Sequence, residues 1–270
     1  MPRNLLSRTS STLSVVTWNV NSLRARLDHV VRFLREKSPS IVLLQETKVQ
    51  DDAFPSDPLA DLGYNIAKFG QKSYNGTAIL SKAPLEEVEK GLPTLGDDQE
   101  ARYLEAFTSG VRVASIYVPN GEAVGHTKFH NKERFFTALK DHLATSLRQE
   151  EPLIWGGDYN VAPTDADVYD PKVWRERILC STPERTWLRS LLTQGLVDPL
   201  DQTPEAGQCN PFTWWDYRTR GFDYDRGLRI DHLLLSPWAA NRLQKAWVEK
   251  NVRGWNKPSD HAPVMLSLTY

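Results

Sequence analysis

Four short apolar runs along this 270-residue chain each stop at a residue suited to polar chemistry. Leu13–Thr17 runs into Trp18-Asn19, and Ile41–Leu44 into Gln45-Glu46. Val111–Ile116 runs into Tyr117, with Pro119-Asn120 just beyond, and Leu153–Trp155 into Gly156-Gly157-Asp158-Tyr159-Asn160. Runs of this length and β-branched content read as strands. Between and after them, Leu23, Leu27, Val30, Val31 and Leu34 recur at helical spacing, with Asn21 or Ser22 placed to cap the helix and Pro39 to end it. Phe129–Leu147 and Glu184–Leu192 read as helices, and Thr77–Leu80, Leu233–Leu235 and Val264–Leu268 as strands. No Gly/Ser or Pro-rich linker interrupts the alternation, so residues 13–270 read as one α/β domain behind a flexible tail of residues 1–12. In open α/β sheets, ligands gather at the carboxyl ends of the strands, which is where these polar residues fall.

The bulk properties exclude several classes. No apolar run approaches the ~20 residues that span a bilayer, so no membrane association is expected and a cytoplasmic location is. Cys180 and Cys209 cannot make a disulfide framework and lack metal-ligand spacing. A formal net charge of −1 argues against a protein that coats nucleic acid, but not against an enzyme that meets it briefly through a local basic face.

Taken singly, each polar strand end has a plain structural reading. Asn19 is a turn former, Gln45-Glu46 a solvated strand end, and Gly156-Gly157-Asp158 a turn. Asp158 and Asn160, two apart, face the same way if the chain is extended. Asp260-His261, between Pro258 and Pro263, is a stiff bend carrying an acid and a base just before the last strand, and Asp231 opens the strand toward Leu233–Leu235. So many such ends in one chain point to a shared site.

The set as a whole resembles the exonuclease III branch of the endonuclease/exonuclease/phosphatase superfamily. The motifs are TWNVNSLRAR (17–26), LQETK (44–48), YNGTAILSK (74–82), YVPNG (117–121), GDYNVAPTDAD (157–167), FTWWDYR (212–218), RGLRIDH (226–232) and KPSDHAPV (257–264). The resemblance implies a four-layer α/β sandwich, two mixed β-sheets face to face with flanking helices. It implies a Mg²⁺-dependent DNA repair nuclease, with Mn²⁺ able to substitute. Such an enzyme cleaves the phosphodiester 5′ of abasic sites and trims blocked 3′ ends as a 3′-phosphodiesterase, 3′-phosphatase and 3′–5′ exonuclease. The partner so implied is double-stranded DNA with abasic sites or blocked 3′ ends, met by a monomer. Glu46 then corresponds to the principal metal ligand, with Asn19 and Asp260 beside the metal. Asp158 corresponds to the group that orients and deprotonates water, supported by Asn160. Tyr117 stands at the phosphate or leaving group, and His261, held by Asp231, contacts the scissile phosphate. Trp215, Leu228 and Ile230 match an abasic-sugar pocket, and Asn120, Arg177 and Arg218 fall on the DNA side. A superfamily phosphatase acting on inositol or lipid phosphates, and a 3′-end-processing nuclease weak at abasic sites, are the alternatives. The stretch Asp165–Glu184 departs from familiar relatives, which leaves the balance of activities open.

Overall fold

A computed structural model describes residues 12–96, 100–202 and 212–270; Cys209 and residues 1–11 lie outside these. Among the described residues, eleven strands form two sheets. The first contains β1 (Thr12–Asn19), β2 (Ile41–Gln45), β3 (Asn65–Phe69), β4 (Thr77–Ser81), β10 (Leu243–Val248) and β11 (Val264–Thr269), in the order β10-β11-β1-β2-β4-β3. The second contains β5 (Glu86–Lys90), β6 (Tyr103–Thr108), β7 (Val111–Tyr117), β8 (Leu153–Asp158) and β9 (Asp231–Leu235), in that order. Only β1 with β2, and β7 with β8, run parallel, so both sheets are mixed.

Side-chain alternation along the strands builds the layers. Val15, Leu43, Val113 and Leu233 point inward and join the core between the two sheets. Their neighbours Val16 and Leu44 point outward and pack with Val30, Phe33 and Leu34 of helix α1 (Leu27–Lys37). Ala114 and Leu234 point out of the second sheet. They pack with Phe135, Phe136 and Leu139 of α2 (Thr127–Ser146) and with Leu188 and Leu191 of α3 (Thr182–Leu192). The result is helix, sheet, sheet, helix: the expected four-layer sandwich. Truncating Leu43, wholly buried between the sheets, to Ala should cost about 2–5 kcal/mol. The Gly156-Gly157 pair has a packing reason. A Cβ on Gly156 would lie 2.6 Å from Leu43 Cδ1, and one on Gly157 would lie 1.9 Å from the Ile116 carbonyl oxygen.

The expected cap of the first helix is not found. Asn21 and Ser22 both adopt left-handed backbone, at φ 44° and 87°, and a 3₁₀ turn at Arg24–Arg26 separates them from α1. Ser22 Oγ accepts from the Ala25 amide of that turn, while the Asn21 side chain turns to the site described below. At its other end α1 closes before Pro39 through a left-handed Ser38, whose N–H reaches the Leu34 carbonyl.

Candidate active site

The polar strand ends meet because antiparallel partners begin where parallel strands finish. β8 ends at Asp158 directly opposite Asp231, the first residue of β9. β11 runs antiparallel to β1 with Val264 opposite Thr17, so His261, just before β11, comes to the same edge as Asn19, the last residue of β1. There, ligand atoms of Glu46, Asp158 and His261 lie within 4.8 Å of one another. A cavity of about 470 Å³ opens over them. Its polar side includes Glu46, Tyr117, Asn120, Asp158, Asn160 and His261, and its apolar side includes Trp174, Ile178, Leu179, Trp214 and Ile230.

Each polar group has defined partners. His261 Nδ1 sits 2.8 Å from Asp231 Oδ2, and its Nε2 faces Asp158 Oδ2 at 3.8 Å. Burial alone would lower the His261 pKa, but the carboxylates of Asp231 and Asp158 overcome it and raise it to about 10, so the ring is an imidazolium at neutral pH. The Asp158 carboxyl is pushed toward its neutral form: burial, only partly offset by His261, raises its pKa to about 7. The Asn19 amide donates to Glu46 Oε1 at 2.9 Å and to Asp158 Oδ2 at 3.0 Å, and so bridges two carboxylates. Asn160 is not extended: at φ 52° its backbone N–H turns back to Asp158 Oδ1 at 2.9 Å, and its amide donates to the Val118 carbonyl while accepting from Asn120. The chain is thus not extended between Asp158 and Asn160; a tight local turn joins them instead. Glu46, also left-handed at φ 52°, is the accessible carboxylate, its side chain 16 % exposed. Burial would raise its pKa, but Lys48 at 2.6 Å and the Asn19 amide hold it lowered. Burial, with Glu46 and Asp158 nearby, pushes the Tyr117 phenol well above its usual value, so it remains a donor.

This donor set fits a hard divalent cation. The imidazolium of His261 has no lone pair to give, which leaves carboxylate oxygens, and Mg²⁺ prefers oxygen ligands and keeps several waters. Glu46 supplies the accessible, ionised oxygen. Asp260 lines the same cavity but lies outside the close group of Glu46, Asp158 and His261; its Oδ1 accepts from Asn21 at 2.9 Å and its Oδ2 from the Trp214 indole at 3.0 Å. Asn19 Oδ1 accepts the Asn21 backbone N–H at 3.0 Å and keeps a second lone pair.

The expected sugar-pocket residues separate. Ile230 lines the cavity. Trp215 does not: it is fully buried beneath the site, packing edge-on against Phe222. Leu228 lies behind the cavity wall, with Val168 and Leu179. Of the adjacent pair Trp214-Trp215, it is Trp214 whose indole lines the cavity, turned there by bridges to Leu228 and His261. Arg218 and Asn120 reach the cavity, whereas Arg177 is exposed beside it and does not line it. Residues that sequence reasoning missed are Asn21, Lys48, Trp214, Ile178 and Leu179. Asn21, Lys48 and Trp214 lie within the motifs given above, and only their backbone turns reveal which way they face.

Comparison with known proteins identifies the family. The model of the endonuclease/exonuclease/phosphatase family matches residues 16–261. Exodeoxyribonuclease III of Haemophilus influenzae is 36 % identical, over 93 % of this chain and 98 % of that protein. Among solved structures, the 3′ phosphatase NExo from Neisseria, bound to product DNA hairpin, is 42 % identical with a TM-score of 0.93, covering 96 % of this chain and 100 % of that one. An AP endonuclease from Archaeoglobus fulgidus is 32 % identical with a TM-score of 0.89, covering 94 % of this chain and 98 % of that one.

Proposed function

Because the chain belongs to the endonuclease/exonuclease/phosphatase family, we propose that it is a metal-dependent DNA repair nuclease, hydrolysing the phosphodiester 5′ of abasic sites and clearing blocked 3′ ends. The observation that carries this reading is the meeting of Glu46, Asp158 and the Asp231–His261 pair at the mouth of one half-apolar cavity. Asp158 accepts a proton from the attacking water as the new P–O bond forms. His261, held by Asp231 as an imidazolium, donates to a non-bridging phosphate oxygen and stabilises the charge that develops there. Tyr117 O–H donates to the phosphate or the leaving oxygen, and Asn160 and Asn120 orient the phosphate. Glu46 would hold the divalent cation, Mg²⁺ in this reading, with Asn19 and Asp260 steadying its surroundings; when bound, the ion neutralises phosphate charge and helps the leaving oxygen depart. Trp214 and Ile230 form a wall against which a base-free sugar can pack, and flipping such a nucleotide costs little stacking.

A second reading, that 3′-end processing outweighs abasic-site cleavage, is favoured by one observation: the 42 % identical neighbour is described as a 3′ phosphatase. Cleavage of three labelled duplexes separates the readings: one with an abasic site, one with a 3′-phosphate nick, and one with a recessed undamaged 3′ end. The proposal expects metal-dependent cleavage at the abasic site, and Trp214→Ala should lower the ratio of abasic to undamaged cleavage. Hydrolysis confined to the 3′-phosphate would favour the second reading, and no cleavage of any duplex would sink both. A monomer in the cytoplasm completes the proposal.

A further inference from the structure

Beneath the site lies a buried ion pair that the chemistry above does not use. Lys132, on α2, has no exposed side-chain surface, and neither does its partner Glu184, on α3. An ammonium has three donors, and those of Lys132 are all engaged. They go to Glu184 Oε1, to the backbone carbonyl of Asn160 at 2.7 Å and to that of Asn120 at 3.2 Å. Glu184 in turn accepts from the Leu179 amide at 3.0 Å, and from the amide and hydroxyl of Ser181 at 3.1 and 2.6 Å. The pair thus grips three separate loops by their backbones: the one after β7 with Asn120, the one after β8 with Asn160, and the one before α3 with Leu179. All three residues line the cavity. Two of these loops hold unfavourable backbone, with Asn160 at φ 52° and Leu179 at φ 74°, and such residues persist only where surrounding contacts over-determine them.

We propose that Lys132 and Glu184 are positioning residues for the hydrolysis assigned above, setting the distance between the phosphate-binding asparagines and the apolar wall. Stability alone does not explain the pair. Replacing a buried ion pair by uncharged groups is often neutral or stabilising, whereas removing one partner strands a buried charge. The inference rests on the hydrolase reading, so one arm of its test is independent of turnover.

The test compares Lys132→Met, the double variant Lys132→Met/Glu184→Gln, and Arg112→Met. Arg112 is a mostly buried cation at the opposite end of β7, bonded to Glu87, Glu105 and Glu151. Lys132→Met should lower Tm by roughly 5–15 °C and kcat by about 10²-fold, the order of loss a displacement near 1 Å can cause, with KM within about threefold. The double variant should recover Tm without recovering kcat. Arg112→Met should lower Tm with kcat unchanged. If kcat returns in step with Tm, the pair is structural only and the proposal is overturned; should Lys132→Met fail to fold, the double variant decides alone. Independently of turnover, the side-chain amide resonances of Asn120 and Asn160 should move in the metal-free double variant and not in Arg112→Met. If they stay put, the positioning claim fails even where the nuclease reading stands. Wild-type protein that cleaves none of the three duplexes overturns the nuclease reading, and the resonances then judge the positioning claim.

Discussion

Strand β9 opens with Asp231 and His232, and each makes an aspartate–histidine pair on an opposite side of the sheet. Asp231 holds His261 by Nδ1, and the other nitrogen of that ring faces Asp158 at the cavity. His232 is held at Nδ1 by Asp198, 2.8 Å away, but its Nε2 is spent on the Val161 carbonyl at 2.9 Å. The Asp198 pair is closed further by Arg229, which bonds Asp167, Asp198 and Asp201. Both histidines are held raised in pKa: burial lowers each, and the aspartate outweighs it. The chemistry of the pair is therefore not what separates a working site from a structural one. What separates them is whether the second nitrogen meets an open cavity or a backbone carbonyl.

The largest expected effect sharpens this contrast at the group facing the open nitrogen. Asp158→Asn should lower kcat by about 10²–10⁴, the range for loss of a general base. It should also raise Tm near neutral pH. A carboxyl whose folded pKa is raised to about 7 destabilises the fold once pH exceeds its unfolded value near 3.9, and asparagine removes that cost. Steady-state kinetics with thermal melts check both signs.

Next, the open pair should act as a unit. His261→Ala should cost about 10²–10³ in kcat, and adding Asp231→Asn should cost little more, because groups that act together are not additive. Fully additive losses would assign Asp231 to some task other than holding His261. The closed pair should behave in the reverse way. His232→Leu should destabilise by about 1–3 kcal/mol, as expected where buried hydrogen-bond partners are left unsatisfied, while kcat stays within about threefold. An activity loss as large as that of His261→Ala would break the comparison.

The smallest effect is a pH dependence of stability. Burial would raise the Asp198 pKa, but Arg229 and His232 lower it to about 2. A depressed carboxylate pKa contributes stability that is present above the unfolded value near 3.9 and lost as pH falls through the folded one. Wild-type stability should therefore drop by about 2 kcal/mol between pH 4 and pH 2 from this group, and Asp198→Asn should flatten that part of the curve. Denaturant titrations across the window measure it.

Much of this was legible in the sequence because strands buried on both faces betray themselves as continuous apolar runs. The runs at Leu13–Thr17, Ile41–Leu44 and Leu153–Trp155 lie inside β1, β2 and β8, and their polar ends meet at one edge. Strands β3, β5, β6 and β10 went unread. Every residue of β5, EEVEK, is exposed, so no alternation marks it. Within β6 the run is broken by Glu105, a buried acid that only its tertiary partners Tyr103, Arg112 and His142 make tolerable. In the site, the identity of groups at or just past strand ends could be read, Glu46 and Asn160 among them, but the direction a left-handed residue sends its neighbours could not. Asn21, Glu46, Lys48 and Asn160 all have positive φ, and each such residue redirects the chain in a way no periodicity records. The one-residue displacement from Trp215 to Trp214 has the same origin, in irregular bridges rather than a regular ladder.

The distinction between the open and closed pairs can be observed directly in the imidazole ¹⁵N resonances of His261 and His232. The protein is kept in EDTA so that nothing turns over, and a duplex ending in a 3′-phosphate is titrated in. The account predicts that His261 Nε2 shifts with saturation while both nitrogens of His232 remain fixed. Equal shifts at the two histidines, or a shift at His232 alone, would contradict it.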